Sequence, residues 1–504
     1  MSRPIRCLPR PRPTIAGLSR RALLATMGSV LISPASLAQD SAAAGKGGDF
    51  EERMQRIVNG LRPAVVIAGE APKKLADRMK ELQVPGVSIA VLHDGAIEAR
   101  GFGSVGIDGP PVRPETLFQA GSISKPVSAV AALALAQAGK LDLDSDVDLL
   151  LKSWKVPANP YTDKSKVTLR RLLDHSAGIT VHGFPGYAAG EAVPSLVEVL
   201  NGAPPANTAP IVVGHEPGTR FQYSGGGYTI MQQVLIDVTG KPFPDLVAEL
   251  VLKPFGMTHS SFLQPLPKEE AQSAATPYRA NGAPVPGGAH IYPELAAAGL
   301  WTTPTDLARF ALALLDAWAG RNTSVLSQAT AIQMLTPGFG DYGLGLVVRG
   351  ASPDRRFLHD GVNDGFVSSM VAFENGDGAV VMTNGARGWE LAGEIMRSIA
   401  VEYGWSAGQP RTRQRIAVDP HVLDRLVGTY ELSPQVLIHV SREEGHLFAQ
   451  ATGQDRFEVF PESDRDFFYR VVDAVLTFDV ENSVSATQVT LHQNGADHIA
   501  KRVQ

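Results

Sequence analysis

Strand-like runs stand at both ends of the first four hundred residues, with a mostly helical stretch between them. Val87 to Leu92 and Ala96 to Phe102 are rich in apolar residues and flank Asp94-Gly95, a two-residue hairpin signal. Leu344 to Val348, Val367 to Phe373 and Ala379 to Thr383 supply later strands. The middle, to about Leu315, reads as helical. Thr303-Pro304-Thr305-Asp306 offers an N-cap, a proline at N1 and an acid at N3 for one of these helices. This order fits an α+β fold: one antiparallel sheet completed by distant parts of the chain, a helical lobe beside it, and a site in the cleft between.

One of these helices opens on chemistry. Ser122-Ile123-Ser124-Lys125 is the only place where Ser and Lys stand three apart, and it begins an Ala-rich run from Pro126 to Ala138, stopped by Gly139. Positions i and i+3 share a helix face, so the Lys amine can reach the Ser hydroxyl. A Ser hydroxyl becomes a good nucleophile when a neighbouring base takes its proton, and a Lys kept neutral by desolvation can be that base. The helix start adds backbone N–H groups suited to a developing oxyanion. By composition alone such a spacing arises about twice in a chain of this length, so its company decides its meaning.

Two further stretches supply that company. Phe221-Gln222-Tyr223-Ser224-Gly225-Gly226-Gly227-Tyr228 places a Tyr ahead of a glycine turn and a helical pattern, where its hydroxyl can relay a proton. Phe357-Leu358-His359-Asp360-Gly361 comes later. An identical triplet, His93-Asp94-Gly95, reads as an ordinary hairpin turn, so the triplet means nothing outside its context. Asp174 and His175 offer a rival Ser–His–Asp arrangement. A helix-end turn at His175 favours packing instead.

The order S-x-x-K, Y-S-x, H-x-G resembles the serine β-lactamase and penicillin-binding protein superfamily. The branch is that of class C β-lactamases, D-Ala-D-Ala carboxypeptidases, D-aminopeptidases and family VIII esterases. Leu117-Phe118-Gln119-Ala120-Gly121, Leu172-Leu173-Asp174-His175-Ser176-Ala177-Gly178, Gly299-Leu300-Trp301-Thr302-Thr303 and Tyr342-Gly343-Leu344-Gly345 extend the likeness over roughly residues 50 to 400. The resemblance implies Ser122 as the acylated nucleophile, Lys125 as its base and Tyr223 as the proton shuttle to the leaving group. It places His359 where relatives read substrate charge. It assigns the oxyanion hole to the backbone N–H groups of Ser122 and Val362, the residue after Gly361. Many relatives carry Asn at the third position of the Tyr motif; here it is Gly225, so an amide anchor for the substrate is missing. The implied function is an exported hydrolase of β-lactams, D-amino-acid peptides or short-chain esters. The alternative is a penicillin-binding or peptidoglycan-sensing protein that is acylated without turnover.

Residues 1–38 hold six Arg and no acid; Ser19-Arg20-Arg21-Ala22-Leu23-Leu24 resembles a twin-arginine signal, and Ser36-Leu37-Ala38 suits cleavage. A periplasmic or secreted location is expected, with no membrane span because the apolar stretch is too short. Formal net charge is −5. It falls to −11 without the leader (46 − 6 basic against 51 acidic), which argues against nucleic acid. Cys7 is the only cysteine, and the 12 His are scattered, so neither disulfide, metal nor cofactor is expected. The expected partner is a small-molecule or peptide substrate, peptidoglycan-derived in the carboxypeptidase case. The domain reading is a catalytic domain over 50–405, a polar linker over 406–415, and short alternating strands over 416–504. The last segment, opening at Leu426-Val427-Gly428-Thr429-Tyr430, resembles a lipocalin-like barrel, with homo-oligomerisation as one expected role.

Overall fold

A computed structural model describes residues 50–480 and 485–503; the leader, with Cys7, lies outside them. Two compact units are present: residues 50–61 with 72–406, and residues 62–71 with 407–503.

In the larger unit six strands form one antiparallel sheet. They are β1 (Gly86–His93), β2 (Ala96–Gly103), β3 (Val347–Arg349), β4 (Arg356–Asn363), β5 (Phe366–Phe373) and β6 (Gly378–Thr383), in the order β2-β1-β6-β5-β4-β3. The expected completion by distant segments is seen in the pairing of Val87 with Thr383 and Leu92 with Gly378. Asp94 and Gly95 both have positive φ (51° and 76°), the backbone that a tight two-residue hairpin demands. Context separates the two His-Asp-Gly copies: the second is the middle of an eight-residue strand, paired with β5 from Arg356–Phe373 to Asn363–Phe366.

The helical lobe is organised around α1 (Ser124–Gln137), α2 (Gly225–Thr239), the short α3 (Leu295–Ala298) and α4 (Pro304–Trp318). α1 is buried almost all round, which its Ala-rich sequence permits: small side chains let neighbouring elements approach, and its single charged residue, Lys125, is buried as well. Thr303 caps α4 through its side chain, accepting from the Asp306 amide, as its sequence predicts. One continuous core joins lobe and sheet, including Val127, Val130, Leu172, Tyr228, Leu307 and Met370.

In the smaller unit eight strands, from β7 (Gly428–Ser433) to β14 (Ala496–Arg502), close into an antiparallel barrel. First and last strands pair through Tyr430–Arg502 and Glu431–Lys501, which leaves no open edge. Alternate residues such as Ile438, Leu447, Phe467, Leu476 and Val489 fill the interior, joined by Leu423 and Leu426 from α5 (Pro420–Leu426). Within residues 406–415, expected as a linker, Arg411–Arg413 forms a strand paired in parallel with Val65–Ile67. Val65 and Ile67 pack against Phe460 and Phe468, so an early segment of the chain belongs to this late unit.

Candidate active site

The chain enters α1 through a tight 3₁₀ turn over Gly121–Ile123. Gly121 has φ +54°, and a Cβ there would stand 2.5 Å from the Val362 nitrogen. A Cβ on Gly361 would lie 1.9 Å from the Ala120 carbonyl oxygen. These two glycines therefore let the turn carrying Ser122 lie backbone-to-backbone against β4. Ser124 and Ser368 fix the approach: Ser124 Oγ donates to Gly121 O (2.6 Å) and accepts from Leu300 N, and Ser368 Oγ donates to Ala120 O (2.7 Å).

The ladder explains which way the Val362 amide faces. The two-residue turn at Asp364-Gly365 makes Asn363–Phe366 the hydrogen-bonded closing pair. Alternation then turns the Val362 N–H away from β5. On that side β3 reaches only as far as Leu358, so this amide points past the end of the sheet pairing, toward the Gly121–Ser122 turn. The Gly121–Ser122 turn and the Val362 amide thus lie against each other, the approach that an oxyanion hole built from the Ser122 and Val362 amides requires.

Lys125 Nζ lies 2.9 Å from Ser122 Oγ and donates to the Ala297 carbonyl of α3, also at 2.9 Å. Burial with no acid beside it pulls the Lys125 amine down from 10.5 to about 7. Near neutral pH it therefore has a lone pair to offer while one of its N–H bonds stays anchored on Ala297. Tyr223 lies beside the same pair: the Ser122 side chain is near enough to oppose the upward shift of its phenol, and Lys125 Nζ sits 4.9 Å from its ring centroid. Burial pushes the phenol above its ordinary range, so it stays protonated. The neighbouring residue holds Tyr223 in place: Ser224 caps α2, accepting from Gly227 N at 3.0 Å.

His175 packs under Tyr223, ring centroids 4.3 Å apart, and its Nδ1 accepts from Ser224 N at 3.2 Å. Burial first, then the nearby Lys125, His359 and His182, holds it well below its ordinary value. Asp174 accepts from Ser176 N. This pair braces the Tyr turn, and the Ser–Lys–Tyr cluster holds the acid–base groups.

His359 departs from its expected role. It is buried, its Nδ1 lies 2.6 Å from the Asp360 carbonyl, and its Nε2 lies 2.9 Å from Tyr342 Oη. A carbonyl only accepts, so Nδ1 carries the proton, and Tyr342 Oη, which also lies 3.3 Å from the Gly345 carbonyl, gives its one proton to the nearer Nε2. Burial and Lys125 pull the imidazole down to about 3. A neutral ring with both nitrogens engaged has no charge to show a substrate. Asp360, the motif's middle residue, faces the other side of the sheet and accepts from Ser369 Oγ at 2.6 Å. Gly225 lies at the first turn of α2, and the space its side chain would fill is taken: a Cβ would meet Phe184 Cε2 at 2.9 Å.

Sequence reasoning missed three participants: Tyr342 as the partner of His359, Phe184 over Gly225, and the bridge from Asn363 Nδ2 to Gln119 Oε1 (2.8 Å) beside Val362. Tyr342 and Gln119 lie in stretches the resemblance covers, yet nothing local to either names its partner. Among the described residues no cluster of potential metal ligands is found.

The sheet-and-lobe fold is that of the β-lactamase/transpeptidase-like class. The profile described as Beta-lactamase matches residues 72–400, and the chain belongs to that family. A second profile, a domain of unknown function (DUF3471), matches residues 412–500. The chain is 23% identical over 416 residues to penicillin-binding protein 4* of Bacillus subtilis (strain 168), covering 78% of this chain and 89% of that one. Its fold is similar to an octameric penicillin-binding protein homologue from Pyrococcus abyssi (TM-score 0.59, 22% identity, 85% and 98% coverage). It is also similar to a D-amino acid amidase from Ochrobactrum anthropi SV3 (TM-score 0.52, 23% identity, 66% and 91% coverage).

Proposed function

We propose that this chain is a serine hydrolase that cleaves an ester or amide through a Ser122 acyl-enzyme. The observation that carries the reading is a buried amine with a pKa near 7, 2.9 Å from a serine hydroxyl. For an ester, Lys125 takes the Ser122 proton as Oγ bonds to the carbonyl carbon. The Ser122 and Val362 amides donate to the oxyanion. The carbon–oxygen bond to the alcohol then breaks. Tyr223 hands its proton to the leaving oxygen and regains one from the Lys125 ammonium. Water then attacks the acyl carbon, gives a proton back to Ser122 through the same groups, and releases the acid. The relatives' names point to penicillins and D-amino acid amides as candidate substrates alongside simple esters.

The testing experiment is a panel on the purified protein: a chromogenic cephalosporin, p-nitrophenyl butyrate and a D-aminoacyl p-nitroanilide. Steady turnover of at least one is expected; labelling without turnover of any would leave an acylated binder. Gly225 offers no amide to an acylamino side chain, and a lost hydrogen bond of that kind weakens recognition by about tenfold. The ester is therefore expected to exceed the cephalosporin in kcat/KM by at least about tenfold, measured by initial rates. A cephalosporinase-grade constant would reverse this ranking. Tyr223→Phe is expected to slow acylation by about 10²- to 10⁴-fold, read by stopped-flow labelling. Full activity in that variant would reduce Tyr223 to a packing residue.

A further inference from the structure

The segment from Thr180 to Tyr187 runs along the start of α2 as a strap. Gly225 N and Gly226 N donate to His182 O and Val181 O, both at 3.0 Å, and Ser224 Oγ donates to Thr180 O at 2.8 Å. At its far end Tyr187 exchanges two backbone hydrogen bonds with Ile291, and Asn207 Nδ2 donates to Gly186 O. Both ends are tied, so the side chains between them hold fixed positions. His182 lies against the Tyr223 ring, centroids 4.9 Å apart, on a ring that His175 already contacts. Two residues on, Phe184 covers Gly225, with part of its ring packed on the core and part left open.

We propose that Phe184 is the wall of the acyl pocket and selects substrates whose acyl group is apolar and lacks an amide beside the scissile carbonyl. This rests on the acyl-enzyme reading above. The Tyr223 ring lies 4.9 Å from the Lys125 amine that holds the Ser122 hydroxyl, and Gly225 stands two residues along the same turn. The surface next to the acyl carbon on this side is therefore an aromatic face over a residue with no side chain. An alkyl chain laid there leaves water at no polar cost. A side-chain amide laid there gives up its water hydrogen bonds and finds no partner on the ring.

The test uses the full chain, with rates divided by the amount of Ser122 titrated by a fluorophosphonate. p-Nitrophenyl butyrate and acetate differ by two methylenes, and a wall that covers both gives butyrate an advantage of about tenfold in kcat/KM. Phe184→Ala is expected to bring that ratio to within about twofold of unity, and Phe184→Leu to keep most of it. Gly225→Asn alone drives its Cβ into the ring and is expected to lower both ester rates. In the Phe184→Ala background the same Asn has room, so the two changes are expected to be strongly non-additive. An unchanged butyrate-to-acetate ratio in a titratable Phe184→Ala enzyme overturns the wall. Absence of titratable Ser122 in the wild type overturns the acyl-enzyme reading instead.

Discussion

Ser122→Ala is expected to abolish covalent labelling by a fluorescent penicillin or fluorophosphonate and to lower ester turnover by at least about 10⁴-fold. Every step of the proposed chemistry passes through Oγ, and the nearby serine hydroxyls are engaged elsewhere. Ser124, two residues on, is committed in both directions, donating to Gly121 O and accepting from Leu300 N. Ser224 donates to Thr180 O and accepts from Gly227 N. The substitution leaves Gly121, Gly361 and the two amides in place and keeps the Lys125–Ala297 bond. Stability should therefore change by no more than about 1 kcal/mol, the worth of one hydrogen bond. Gel fluorescence and thermal melting on the same samples separate the two effects. Equal labelling of both proteins would move the nucleophile elsewhere.

Legibility in the sequence tracks how local each relation is. Ser122 and Lys125 meet across one helical turn, so their spacing alone announced the contact. The barrel strands announced themselves by alternation and the resemblance implied their closure, while the pairing that makes it, Tyr430 with Arg502, joins residues too far apart in the chain to be read locally. Asp360-Gly361 carries a turn signal that the fold overrides: Gly361 is there because β4 must pass against the Ala120 carbonyl. The neutral state of His359 was hidden for a similar reason. A histidine facing a cleft suggests charge, but Tyr342, 17 residues earlier, occupies its second nitrogen. Phe184 and Gly225 lie 41 residues apart (225 − 184), and nothing near either predicts that one fills the other's space. Val65–Ile67 belongs to the barrel unit although chain order places it beside the sheet.

The wild type is expected to acylate faster as pH rises through about 7, and Lys125→Met is expected to erase that rise and to slow acylation by about 10²- to 10⁴-fold. Below that pH the wild-type amine is an ammonium and cannot accept the Ser122 proton. Above it the lone pair is free, and the rate levels off. His359 titrates near 3, His175 is held well below its ordinary value and Tyr223 above its own, so none of them supplies this inflection. Two neighbours need separating: His182, whose ring lies 4.9 Å from that of Tyr223 and is removed in His182→Gln, and Glu294. Burial pushes its carboxyl up to about 8, both oxygens lack a partner, and it precedes the helix whose Ala297 holds Lys125. Any inflection it contributes survives in Lys125→Met and disappears in Glu294→Gln. Stability provides an independent sign. The Lys125 pKa is depressed in the folded chain relative to 10.5 unfolded, so between about 7 and 10.5 the unfolded chain binds the extra proton. This group's contribution is therefore complete above 10.5 and lost as pH falls to about 7. Met fills similar volume without a buried amine, so the variant should lose that slope and be at least as stable at pH 7. Melting curves across pH 6 to 10 test the slope. Single-turnover labelling over the same range tests the rate, and an unchanged profile in Lys125→Met would remove Lys125 as the base.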